Sequence, residues 1–214
     1  MAGRRLYYLV RHGITEWNRA QRMQGHTDVA LASDGYLQAA RIGARLQAAP
    51  LKPSAVWASD LMRATETARA IAEPLGLPVQ TTARLRETML GEWEGLTREE
   101  IVARGDGERL DAYLRDSWRY RPPGSETLEA VWERMLDAQE EIRNQHPVGA
   151  VAIVGHGGSL RALLCAALDA PIDSMRRLWL DNASLSIIEE SEGVDRRARI
   201  TLLNDTSHLV GLFD

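Results

Sequence analysis

Two short apolar runs in this chain each lead into a histidine followed by a glycine. That pairing constrains the fold more than any other feature of the sequence. Leu6-Tyr-Tyr-Leu-Val10 runs into Arg11-His12-Gly13, and Ala150-Val-Ala-Ile-Val154 runs into Gly155-His156-Gly157-Gly158-Ser159. Short runs of aliphatic, aromatic and β-branched residues suit strands buried in a parallel sheet. Open α/β sheets bind ligands at the carboxyl ends of their strands. The residue types here match such a place. Arg11 can fork onto a phosphate or carboxylate. His12 can act as base, nucleophile or metal ligand. Gly13 would let backbone approach a ligand. The glycine-rich turn after His156 leads into a helix start, a good anion cradle.

The intervening chain alternates between strand and helix signals. Arg19–Ala30 lacks periodicity and reads as a loop over the end of the first strand. Ser33 is placed to cap a helix to about Ala49, with Ala39, Ile42 and Leu46 on one face. Ala55–Ala58 reads as a second strand. Ser59 or Asp60 would cap a helix to about Ala72, putting Arg63 in its first turn. Val79–Thr81 reads as a third strand, and Leu85–Gly95 as a shaped loop in which Glu87 is a reasonable general acid. Helices are expected at Thr97–Arg104 and Glu108–Leu114, then a long one capped by Ser125 and ending near Gln145. Leu160–Leu168 reads as a helix, and Asn182–Glu189 with Ala198–Asn204 as a closing hairpin. This alternation predicts an α/β fold, a three-layer α/β/α sandwich on a mostly parallel sheet, with residues 1–214 as a single domain. If the two histidine-ending strands are neighbours, His12 and His156 share one rim with Arg11 and Arg63. Two imidazoles and two guanidiniums around one cavity make a phosphate site.

Composition narrows the class. The net charge of −4 shows no nucleic-acid footprint, and no apolar run is long enough for a membrane span. Leu6–Val10 is too short for a signal-peptide core, so the expectation is a cytoplasmic protein. The single cysteine, Cys165, lies in an apolar helical stretch and is expected to be a buried small residue. Lys52 is the only lysine, a bias that codon usage in a GC-rich genome explains.

At Leu9-Val-Arg-His-Gly-Ile-Thr-Glu-Trp-Asn18 the chain resembles the histidine phosphatase superfamily, also called the phosphoglycerate mutase-like family. The resemblance continues through Gln24-Gly25, Arg63–Ala68, Leu85-Arg-Glu87, Gly124-Ser-Glu126, Gly155-His156-Gly157 and Asn182. The joint order and spacing carry the signal; each motif alone is weak. The resemblance implies that His12 attacks phosphorus and carries the phosphate. It implies that Arg11, Arg63 and His156 hold the equatorial oxygens, and that Asn18 and the Gly157 backbone add hydrogen bonds. Glu87 would protonate the leaving alcohol and later activate water. No cofactor or metal is implied, and the partner is a small phosphorylated metabolite. Leu85–Gly95 looks more like the broad-specificity and α-ribazole phosphatases than the mutases, so hydrolysis is favoured over phosphoryl transfer between positions of a small acid. Met23, Gln24, Gly25, Trp93, Trp118 and Tyr120 are the expected substrate wall. A mutase would need basic groups for a substrate carboxylate, for which Arg19, Arg22 and Arg121 are candidates. A binding module without catalysis is disfavoured because the full catalytic set is present, and a metal hydrolase because arginines flank the pocket histidines. His208 reads as a structural histidine, and exposed apolar residues on the closing hairpin could pair across a homodimer.

Overall fold

The computed structural model describes residues 4–191 and 198–212. Residues 1–3 of the basic N-terminus, 192–197 and 213–214 lie outside the described residues. In chain order the elements are β1 (Arg4–Arg11), α1 (Glu16–Arg19), α2 (Ser33–Gln47), β2 (Ala55–Ala58), α3 (Met62–Ala72), β3 (Val79–Thr81), α4 (Arg98–Ile101), α5 (Gly107–Arg115), α6 (Leu128–Gln145), β4 (Gly149–Gly155), α7 (Leu160–Ala167), β5 (Leu185–Ser191) and β6 (Ala198–Asp205). The six strands form one sheet in the order β3-β2-β4-β1-β5-β6. The first four run parallel, and β5 and β6 are antiparallel to their neighbours.

The alternation of side chains along a strand sorts the core into two layers. Tyr7, Leu9, Trp57, Val151 and Ile153 face α6 and α7, where Val131, Met135, Ile142 and Leu163 meet them. Leu6, Tyr8, Val10, Val56, Ala152 and Val154 face α2 and α3, packing on Ile42, Leu46, Ala64 and Ile71. The fold is therefore the expected three-layer sandwich. Cys165 is 1% exposed and belongs to the first layer. Among the described residues no helix is long and apolar enough to cross a membrane.

Several element boundaries differ from expectation, and at α2 and α3 a partner distant in sequence replaces the local cap. Ser33 does not cap α2; it is the first helical residue, and Ala32 precedes it with no side-chain cap. Instead α2 is seated by close backbone contact, because a Cβ on Gly13 would strike the Gly35 carbonyl and one on Gly35 the Ile14 carbonyl. Gly13 thus admits the start of α2. Neither Ser59 nor Asp60 is the N-cap of α3, which is Leu61. Asp28 accepts from Met62 N at 2.7 Å, while Asp60 holds Arg86 through both oxygens at 2.7 Å. Thr127, not Ser125, caps α6, accepting from Ala130 N at 3.1 Å. The Thr97–Arg104 helix breaks early: α4 ends at Ile101, and a wide turn through Gly105, at φ 93°, joins it to α5. The hairpin begins at Leu185, after a turn in which Ala183 has φ 54°.

Candidate active site

Sheet register brings the two histidines together. Arg11 pairs with Gly155 across β1 and β4, and His12 N donates to the Gly155 carbonyl at 3.0 Å. Each histidine therefore follows its strand at the same level, and the ring centroids lie 5.1 Å apart. Both rings are buried, at 3% and 0% exposure.

The hydrogen bonds of the two rings determine which nitrogen carries the proton. Nδ1 of His12 lies 2.7 Å from the Gly13 carbonyl, which only accepts, so Nδ1 is the donor and Nε2 of the neutral ring bears a lone pair. His156 is the reverse. Arg63 Nε donates to its Nδ1 at 3.2 Å, so Nε2 carries the hydrogen, and that buried atom has no partner. Burial, with Arg63 and Arg11 alongside, holds the His12 imidazole well below its ordinary pKa. Burial, then Arg63 and His12, does the same to His156. Both rings are neutral at neutral pH.

Arg63 occupies the first turn of α3 and is fully buried. Its remaining nitrogens donate to the carbonyls of Gly25 and Thr27 at 2.8 Å. Burial lowers its pKa to about 10, which leaves it a cation at neutral pH. Arg11 donates to the Leu180 carbonyl at 2.6 Å, and its buried Nε has no partner. Gly157 makes room for this side chain, since a Cβ there would sit 3.2 Å from Arg11 Nε. Asn18 accepts through Oδ1 from Thr15 N, Thr15 Oγ1 and Asn182 Nδ2, which leaves its own amide hydrogens for the cleft. Buried donors without partners are rare in native proteins. Here two of them, on Arg11 and His156, flank His12.

Glu87 stands opposite. Its carboxylate accepts from Gly158 N at 2.8 Å, Ser159 N at 3.0 Å and Thr88 N at 2.8 Å, at the approach to α7. A Cβ on Gly158 would collide with it. Arg134 on α6 fixes this loop from beneath. It donates to the carbonyls of Arg84 and Arg86 at 2.7 Å and of Glu87 at 2.9 Å, while holding Glu126 at 2.6 and 2.9 Å. The Glu94 carboxylate ties the loop carrying Gln24 and Gly25 to the same segment, accepting from His26 N, Thr27 N, Thr27 Oγ1 and Leu90 N at 2.7–3.0 Å.

The resulting cleft, of about 200 Å³, is lined by Arg11, His12, Asn18, Arg63 and Glu87, and by the expected Met23, Gln24 and Gly25. The three aromatic wall residues are corrected. Trp93 is 1% exposed and packs on Ile101, Leu110 and Tyr113 in a separate small core. Its position in a loop without periodicity hid that. Trp118 lies in another surface groove with Pro171 and Ile172. Tyr120 is 51% exposed and does not line the cleft. Tyr113, Thr88, Leu90 and Arg161 line it instead. The sequence held one usable signal for Arg161: it follows the His156 turn by one helical step. Arg19 is exposed and engaged by Glu16 and Asp34, whereas Arg22, held by Glu100 at 2.6 and 2.9 Å, lines the cleft. His208 is structural. It accepts from Arg45 and donates to the Ala183 carbonyl at 3.0 Å, and Ala183 N in turn donates to the His12 carbonyl.

The model of the histidine phosphatase superfamily (branch 1) matches residues 7–206. The chain belongs to the histidine phosphatase superfamily. It is 40% identical over 181 residues to a glucosyl-3-phosphoglycerate phosphatase of Mycolicibacterium vanbaalenii, covering 81% of this chain and 78% of that one. It is 35% identical over 185 residues to a probable phosphoglycerate mutase of Erwinia tasmaniensis, covering 86% and 85%. Among solved structures it resembles a mycobacterial glucosyl-3-phosphoglycerate phosphatase in complex with VO3, with a TM-score of 0.84 and 34% identity over 96% of this chain and 100% of that one. Within the superfamily, phosphatase chemistry is better supported for this chain than mutase chemistry.

Proposed function

We propose that this phosphatase of the histidine phosphatase superfamily hydrolyses a small organic phosphomonoester through a phosphohistidine on Nε2 of His12. The lone pair attacks phosphorus, the N–P bond forms and the bond to the alcohol oxygen breaks. Glu87, entering this step as the carboxylic acid, gives its proton to that oxygen and is left as the carboxylate. Water then attacks the phosphohistidine, Glu87 takes a proton from it, and phosphate leaves with His12 restored. Arg11, Arg63, Nε2–H of His156 and the Asn18 amide donate to the equatorial oxygens, where charge must be stabilised. Gly157 leaves room for Arg11. The observation that carries this reading is the opposed protonation of two buried imidazoles 5.1 Å apart: one offers a lone pair, the other an unpartnered hydrogen.

The reading takes residues 1–214 as one domain and places the enzyme in a bacterial cytoplasm. A lone buried cysteine and bacterial relatives support that placement. Its substrate is a small phosphorylated metabolite of the kind in those relatives' names. The reading also allows two copies to pair along the edge strand β6, where Leu203 is exposed.

The test is phosphate release from p-nitrophenyl phosphate, with a metal chelator present and no diphosphoglycerate. Steady release is expected, with phosphate trapped on His12 by a denaturing quench. An imidazole depressed below its usual value stays neutral until the pH falls through that lower value. Release should therefore persist below about pH 6.5. No release from this or any other phosphomonoester by folded protein would overturn the reading.

A further inference from the structure

The cleft continues past Glu87. Beyond the carboxyl it opens into a side pocket of about 50 Å³ that shares Thr88, Leu90, Tyr113, Gly158 and Arg161 with the cleft and reaches Arg121 and Arg176. Charge there is one-sided. Glu126, the carboxylate of that wall, is already held by Arg134 at 2.6 and 2.9 Å. Arg176 faces Asp116 only at 3.8 Å. Among the described residues, neither Arg121 nor Arg161 pairs with a carboxylate. Arg161 reaches one protein acceptor, the Leu178 carbonyl, at a long 3.3 Å, and its buried Nε has no partner. A part-buried guanidinium whose buried Nε lacks a partner favours a site that an anion completes.

The position of this arginine relative to the acid is fixed by the chain. Gly158 N and Ser159 N hold Glu87, and Arg161 follows two residues later, in the first turn of α7. The group that protonates the leaving oxygen also sets the side on which the alcohol lies. Whatever that alcohol carries within a bond or two of its oxygen meets Arg161 next. The side pocket has room for a group the size of a carboxylate.

Resting on the phosphatase reading, we propose that Arg161, backed by Arg121 and Arg176, forms a second anion subsite selecting phosphomonoesters whose alcohol carries a carboxylate close to the ester oxygen. The planar fork of arginine binds a carboxylate through two parallel hydrogen bonds, a geometry lysine does not offer.

Matched substrates test this. Phosphate release is measured from 3-phosphoglycerate against glycerol 3-phosphate, and from O-phosphoserine against O-phosphoethanolamine; each pair differs at the carboxylate. The wild-type enzyme should favour the carboxylated member in kcat/KM by about tenfold or more, the scale of a charge-assisted hydrogen bond. Arg161→Gln should bring both ratios to within about threefold, and Arg161→Lys should fall between. Equal rates in the wild type, or a preference that survives Arg161→Gln, would overturn the subsite. If Arg161→Gln does not fold, inhibition of p-nitrophenyl phosphate hydrolysis decides instead: glycerate should inhibit the wild type more strongly than glycerol, and equal inhibition overturns the proposal. Release from p-nitrophenyl phosphate without a carboxylate preference would sink the subsite and leave the phosphatase reading standing. No release from any ester would sink both.

Discussion

The floor of the cleft and its far wall are built by different means. On the floor, His12 and His156 each sit one step beyond a parallel strand, Arg11 is the last residue of β1, and Arg63 is locked in the first turn of α3. Their positions follow from sheet register and burial, with main-chain ladders on both sides. The wall, from Arg86 to Glu126, contains no strand. It is held by side chains that reach across the molecule: Arg134 to three loop carbonyls, Asp60 to Arg86, and Glu94 to four donors. The floor binds the part common to all phosphomonoesters, and the wall meets the part that differs. A backbone-built floor beneath a braced wall lets leaving-group preference change without disturbing the phosphate grip.

The largest effect should come from breaking the floor at its centre. His12→Ala removes the nucleophile, so turnover of every phosphate ester should fall by roughly 10⁴-fold or more, and no phosphate should be trapped on the protein. Trapping at an unchanged level in His12→Ala would move the nucleophile elsewhere.

Next come two changes that separate the acid from its brace. Glu87→Gln should slow alkyl phosphates by roughly a hundred- to ten-thousand-fold. The loss should be much smaller for p-nitrophenyl phosphate, whose leaving group needs no proton. Arg134→Gln keeps the carboxyl but frees the loop that carries it, a displacement worth roughly tenfold to a hundredfold. Because Arg134 holds the backbone of the loop that carries Glu87, its variant should show the same ordering of alkyl over aryl loss. An equal loss on both substrates would make Arg134 a stability residue and nothing more.

The same division explains which parts of the site are legible in the sequence. The floor was legible because its chemistry is written beside its structure: an apolar strand ends in Arg-His-Gly, and a second ends in Gly-His-Gly. Arg63 was legible for a similar reason, since a helix start follows a short strand directly. The wall was not. Nothing near Arg134, in the middle of an amphipathic helix, says that its guanidinium will gather the carbonyls of residues 84, 86 and 87. Capping misled in the same way, because Asp28 reached α3 from another loop and left Asp60 to Arg86. Local signals find elements whose partners are backbone neighbours, and they miss braces formed by long side chains from distant helices.

The aromatic residues give the smallest and sharpest contrast. The sequence reading sets Trp93, Trp118 and Tyr120 together in the substrate wall, yet the structure separates them. Trp93 is buried, with its ring edge-on to Tyr113 at 5.6 Å and Nε1 donating to Asp106 at 3.1 Å. Trp93→Ala should therefore cost about 3–5 kcal/mol of stability, visible as a lowered denaturation midpoint. Trp118 and Tyr120 are 39% and 51% exposed. Neither lines the cleft over His12. Trp118→Ala and Tyr120→Ala should leave kcat/KM for p-nitrophenyl phosphate within about twofold of wild type, as surface changes away from a site generally do. A tenfold fall in either variant, with stability unchanged, would bring the segment from Ser117 to Arg121 over the substrate during turnover. The wall would then include a part that closes, and the contrast between a rigid floor and a braced wall would become one between a fixed end of the cleft and a moving one.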